Sequence, residues 1–207
     1  MNVSGAGRAD TLAAVDWRLY HGIYSASLHH HWLGTLFSDV EKASIPFMVV
    51  VTAALWLFAR PGGDRKWKLA AGSGFAAAAL ALLVNLVIHA AYDRPRPYES
   101  HHIAHPWSSS TDASFPSDHA SASLAIALTI LAFDLPVGIV FLVAAVLIAV
   151  GRVLIGAHYP GDVGASLVVA AASAFLVVRF ARPVIALLVR LVERATDPVL
   201  RPLWRRV

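Results

Sequence analysis

Arg152, His158 and Asp162 stand between two long apolar runs, in the stretch Gly151 to Asp162. An ionisable group at membrane depth is costly and is functional by default; arginine at the centre of a spanning helix costs about 2.5–3.5 kcal/mol on insertion scales. That cost makes sense if Arg152 lies near a helix end and meets an anion, and a phosphate would serve. Asp162 follows His158 by four residues, a spacing at which a carboxylate can hydrogen-bond one imidazole nitrogen and leave the other as nucleophile or base. Pro160 and Gly161 put a turn there, not a helix interior.

Two earlier stretches complete the constellation. His89 to Pro97 closes an apolar run with Arg94 and Arg96, which Pro95 and Pro97 stop from continuing as helix. Phe115-Pro116-Ser117-Asp118-His119 opens the next run with helix-start residues, and the unpaired N–H groups of a helix start form an anion site.

The order Lys-x6-Arg-Pro, Pro-Ser-Gly-His and Ser-Arg-x5-His-x3-Asp is the signature of the type-2 phosphatidic acid phosphatase superfamily. This chain resembles it at Arg96-Pro97, at Pro116-Ser117 with His119, and at Arg152, His158 and Asp162, over roughly residues 45–180. It departs at three positions: His89 stands where the family has lysine, Asp118 where it has glycine and Gly151 where it has serine. The Pro-Ser-Asp-His form is similar to the bacterial undecaprenyl-diphosphatase branch. Taken singly, His119 or His158 is more often a satisfied buried histidine, Asp162 an N-cap, and Arg94 and Arg96 interface anchors. Together, at these spacings, they favour a site.

The elements that position these residues follow from composition. At 207 residues, 57% hydrophobic and 14% charged, with mean hydropathy +0.62, the chain reads as one all-α, polytopic membrane helix bundle. Five apolar runs, at 44–59, 69–91, 119–134, 137–155 and 163–181, approach the roughly 20 residues needed to cross a bilayer. The first and third are short enough to extend into their flanks or tilt. Alanine and glycine are dense in the second and fifth runs, which suits close helix packing. Residues 1–43 read as an N-terminal interfacial segment of one or two helices, 44–181 as the core and 182–207 as a basic amphipathic tail on the membrane surface. Residues 1–8 lack the basic region of a cleavable signal peptide, so the first span is expected to direct insertion.

The absence of cysteine excludes disulfides and thiolate metal sites. His29, His30 and His31 point in different directions on a helix and lack a carboxylate cluster, so they read as surface and not as a metal site. The basic residues flank apolar runs without interleaved aromatics, the pattern of membrane anchors and not of a nucleic-acid interface.

Eleven of the 17 Lys and Arg lie in the 60–68 loop or after residue 178. Beyond the motif arginines, only Arg8, Arg18 and Lys42 fall on the other side. The positive-inside rule then places the 60–68 loop and C-terminus in the cytoplasm, and all three motifs on the extracytoplasmic face of a multi-pass plasma (inner) membrane protein. The 98–114 connection is long enough to cap the site. Its histidines read as solvated and Trp107 as an interface anchor.

The resemblance implies a metal-independent lipid phosphatase with no cofactor. His158 attacks phosphorus to give a phosphohistidine, Asp162 orients it, and His119 protonates the leaving oxygen. Arg96 and Arg152, with Arg94, His89, Ser117 and Asp118, bind substrate. The expected substrate is undecaprenyl diphosphate, with phosphatidic acid, phosphatidylglycerophosphate or another lipid phosphate as the alternative. A non-catalytic lipid-phosphate-binding protein is the reading from another class.

Overall fold

A computed structural model describes residues 3–59, 64–103 and 107–204. Arg60, His105, Arg205 and Arg206, used in the sequence reading, lie outside them, as does the side chain of Arg8. The described residues form helices and connections without a strand. In order these are α1 (Val3–His29), α2 (His31–Phe58), α3 (Lys66–Ala91), the short α4 (Pro97–Ser100), α5 (Asp118–Phe133), α6 (Leu135–Leu154), α7 (Pro160–Leu176) and α8 (Arg182–Trp204). A π-helical turn, Val177–Ala181, joins α7 to α8, so the helix continues past residue 181.

The five apolar runs all fall on helices, with altered ends. The first extends back to His31 in α2, adding turns with more polar residues to an apolar stretch too short by itself. Helices α2, α3, α6 and the joined α7–α8 are long and apolar enough to span a membrane. The fifth, α5, has 16 residues and is the hub against which α3, α6 and α7 pack. Its five alanines and two serines allow neighbouring backbones to approach closely. Asp134 ends α5 and caps α6 by accepting from the Val137 N–H at 3.2 Å. Across that hairpin, a Cβ on Gly138 would meet the Leu131 Cα at 2.2 Å, so only glycine allows this approach.

Helix α8 returns to the beginning of α3. Gly72 meets Val189 and Ile185, while Lys68 pairs with Asp197 at 2.7 Å and Arg65 with Glu193 at 2.7 Å. Lys68 and His89 are separated by 21 residues of α3, or about 32 Å of helix. The basic end and the motif end are therefore opposite ends of the bundle.

At the motif end, α1 buries Tyr20 and Tyr24 with Val153 and Tyr159. Trp107 packs beside Gly34 of α2 and meets Tyr24 edge-on, so it is part of the packing over the site. His101 stacks on Trp17, with ring centroids 3.6 Å apart, while His102 is exposed.

Candidate active site

The turn carrying His158 is built by the end of α6. Gly156 adopts φ +81°, a conformation that strains residues with a side chain, and the chain curls back so that Ala157 and His158 N–H groups donate to the Arg152 carbonyl at 3.0 and 3.2 Å. Pro160 then starts α7, and Asp162 accepts from the Tyr159 N–H at 2.9 Å. A capping interaction thus fixes a buried carboxylate beside a buried histidine.

The partners of His158 define its protonation. Its Nδ1 lies 2.7 Å from the Ser114 backbone carbonyl, which can only accept, so Nδ1 carries the proton. Nε2 therefore presents a lone pair, with Arg152 Nη2 at 3.1 Å and Arg96 Nη1 at 3.3 Å. Burial pushes the imidazole pKa down to about 4; Arg152 and Arg96 act in the same direction, and Asp162 opposes them. The ring is neutral at ordinary pH, with its unprotonated nitrogen facing two cations.

Asp162 occupies a different place from the direct imidazole partner expected from spacing. It lies 3.7 Å from Nδ1. Its oxygens instead accept from Ser114 Oγ at 2.6 Å and Arg94 Nη1 at 2.5 Å. Ser114 forms the link, joining the carboxylate through its hydroxyl and the imidazole through its carbonyl. Arg94 also donates to Asp16 of α1 at 2.7 Å and lies over the Tyr159 ring. Its terminal nitrogens are therefore engaged by carboxylates, and it does not line the phosphate-sized cavity. The partners the structure gives Arg94, expected to bind substrate, are Asp16 and Asp162.

That cavity measures about 100 Å³ and is lined by Glu41, His89, Arg96, Asp112, Asp118, His119, Arg152 and His158 among others. A wider, mostly apolar pocket of about 640 Å³ lies alongside α1, but lacks His119, His158 and Arg152. The small polar cavity is where the reactive groups converge. Arg96 is anchored by the Asp112 carbonyl at 2.9 Å and its carboxylate at 2.8 Å. Arg152 is anchored through Nη1 by Glu41, while its buried Nε has no partner. The cavity can thus receive an anion between fixed guanidinium groups and opposite the His158 lone pair.

The remaining expected residues divide. His119 and Asp118 occupy the first turn of α5 and line the cavity; Asp118 also accepts from Asn85 at 2.7 Å. His89 lines it and approaches the Pro116 carbonyl through Nε2 at 3.0 Å. Ser117 does not line it. Its N–H donates to Ser166 Oγ at 2.9 Å, and its buried hydroxyl has no partner. Gly151 has a packing reason for its departure from serine: a Cβ there would lie 2.7 Å from the Phe37 ring.

Sequence reading missed Glu41, Asp112, Ser114 and Asp16. They lie outside the three motifs, and isolated acids in polar or amphipathic stretches look like solvent-facing positions. Counting acids by predicted membrane side gives only a weak signal, because Asp16, Glu41 and Asp112 fall with the motif arginines and so do Asp10, Asp39, Asp93 and Glu99.

Helical architecture, motif order and the clustered histidine and arginines define a membrane phosphatase-like site. The chain belongs to the PAP2 superfamily, whose pattern matches residues 70–185. It is 33% identical to undecaprenyl-diphosphatase BcrC of Bacillus subtilis over 183 residues, covering 86% of this chain and 92% of that protein. Decaprenylphosphoryl-5-phosphoribose phosphatase of Mycobacterium tuberculosis is 32% identical over 59% of this chain and 65% of its own length. Similar folds occur in Aquifex aeolicus LpxE, with TM-score 0.62, 19% identity and coverage of 79% and 94% of the two chains. The Bacillus subtilis PAP2-type phosphatidylglycerolphosphate phosphatase gives TM-score 0.61, 20% identity and coverage of 84% and 87%.

Proposed function

We propose that this membrane hydrolase converts undecaprenyl diphosphate to undecaprenyl phosphate through a phosphohistidine on His158. The observation that carries the chemistry is the His158 lone pair facing Arg152 and Arg96 at 3.1 and 3.3 Å, with its other nitrogen held by Ser114. Support for the substrate comes from the two curated relatives, whose names both specify polyprenyl compounds.

In this reading Arg96 and Arg152 bind the equatorial oxygens of the terminal phosphoryl group. His158 Nε2 forms a bond to phosphorus as the bridging P–O bond breaks. His119 gives its proton to the departing lipid monophosphate. Asp162 acts through Ser114 to stabilise the charge that develops on His158. Water then attacks the phosphohistidine, His119 takes a proton, and inorganic phosphate leaves. His89 supplies a further donor, while Asp118 helps hold the first turn of α5 through Asn85.

No metal or cofactor is required in this reading, because Arg96 and Arg152 supply fixed positive charge. The 60–68 loop and tail face the cytoplasm, and the reaction faces the opposite side. Phosphate release from undecaprenyl diphosphate, phosphatidic acid and phosphatidylglycerophosphate, measured with the purified protein with and without chelator, tests the proposal. The expected result is preferred cleavage of the polyprenyl diphosphate, insensitive to chelation. Preference for a glycerolipid changes the substrate, chelator-sensitive activity restored by a divalent ion overturns the mechanism, and binding without turnover selects the non-catalytic reading.

A further inference from the structure

We infer that Asp16, in the N-terminal helix and outside the matched family region, is a positioning residue for the His158 nucleophile. This rests on the proposed phosphatase mechanism. Asp16 Oδ2 accepts from Arg94 Nη2 at 2.7 Å, and Oδ1 accepts from the Gly161 N–H at 2.7 Å. Arg94 Nη1 continues to Asp162, whose other oxygen accepts from Ser114 Oγ. The Ser114 carbonyl holds the His158 Nδ1 proton. A connected set of short contacts therefore joins α1 to the nitrogen opposite the reacting one.

The placement of Asp16 is fixed on both sides. Tyr20 and Tyr24 follow at four-residue intervals, on the same face of α1. Both are buried, with rings stacked at 5.3 Å, and Tyr20 meets Tyr159 at 5.6 Å. Gly161 leaves room for the carboxylate: a Cβ there would lie 2.8 Å from Asp16 Oδ2. Asp16 also accepts one of the first N–H groups of α7, where negative charge complements the helix dipole.

The chemical consequence is selective. Asp16 fixes one end of the Arg94 guanidinium, leaving the other directed at Asp162. Without that restraint Arg94 is free to rotate, and the Asp162–Ser114 support behind His158 loosens. Arg96 and Arg152 are held by Asp112 and Glu41, so substrate phosphate binding does not depend on Asp16. Removing its charge must therefore slow the chemical step without weakening substrate capture.

Steady-state hydrolysis of undecaprenyl diphosphate and phosphatidic acid by the full chain in mixed micelles tests this assignment. Asp16→Asn should lower kcat by about 10- to 100-fold, the range for loss of an orienting partner behind a reactive group, while KM stays at its wild-type value. Gly161→Ala should reproduce the loss by displacing Asp16 without changing any charge. In an Arg94→Gln background, Asp16→Asn should have little further effect, because both act through one contact. Asp39→Asn, which removes an exposed partner of Lys42, is the control and should retain wild-type kinetics.

Thermal unfolding in the same detergent identifies any loss of folded protein. Should Asp16→Asn fail to fold, Gly161→Ala decides the matter. Wild-type kcat in the folded variants, a rise in KM alone, or fully multiplicative losses with Arg94→Gln overturn the assignment while leaving the proposed function intact. A wild-type protein that hydrolyses neither lipid removes the proposed function, and this inference with it.

Discussion

The bundle has ionic clusters at both ends, and they differ in how completely their donors are occupied. At the α8 end, buried Lys68 lies between Asp197 at 2.7 Å and Glu193 at 3.3 Å, Arg65 also holds Glu193, and Lys66 holds Asp134 at 2.7 Å. At the other end, Arg152 is anchored by Glu41 but keeps a buried Nε without a partner, and two guanidinium groups converge on the lone pair of a neutral histidine. A cluster that joins helices satisfies its charges within the protein. A cluster suited to a phosphate reserves hydrogen-bonding capacity for it.

The strongest way to break this contrast is to remove the convergent nitrogen. His158→Ala should abolish turnover and any acid-labile phosphoenzyme trapped by rapid quench. A phosphoenzyme persisting in that variant places the nucleophile elsewhere. His89→Ala should have a smaller effect, lowering kcat/KM by about 10- to 1,000-fold, or roughly 1.4–4 kcal/mol, the range for one transition-state donor. Its Nε2 donates to the Pro116 carbonyl, so Nδ1 donates to substrate only when the ring carries both protons. Activity identical to wild type would remove His89 from the site. His89→Lys should preserve activity, because lysine is the residue the family signature has there.

Lys68→Met should have the smallest effect on turnover and a different effect on stability. It leaves half-buried Asp197 without its cation, while buried Glu193 keeps Arg65, so the cost stays below the about 3–5 kcal/mol of breaking a fully buried pair. Thermal unfolding in detergent should therefore shift downward, while phosphate release per folded molecule stays at the wild-type value. Loss of turnover without loss of stability would erase the distinction between the two ends.

Helix identity was legible wherever hydrophobic runs were long. The runs at 69–91 and 137–155 correspond closely to α3 and α6, whereas the short run from 44 pointed to an extension into its flank without placing the start of α2 at His31. The first turns of α2 are held by Trp107 packed beside Gly34 and by Phe37 packed beside Gly151, contacts that join distant parts of the chain. Likewise the spacings found His119, His158, Arg96 and Arg152, but a local sequence window cannot report that Gly161 meets a carboxylate 145 positions earlier. Arg94 illustrates the limit. Its type and neighbourhood suit an anion, and the anions it finds are Asp16 and Asp162.

The length of α5 has a consequence for where the reaction sits in the bilayer. Sixteen residues measure about 24 Å, shorter than a hydrocarbon layer of about 30 Å. Both ends cannot reach the headgroups, even if the helix stands upright. The Asp134 end carries Lys66, which is 45% exposed, and belongs near water. With that end near water, the Asp118 end of α5 is the one that falls short of the far boundary, by about 6 Å on the same lengths if the helix stands upright. On the proposed function, such a recess favours headgroups that extend far enough from their hydrocarbon chain to reach the cavity.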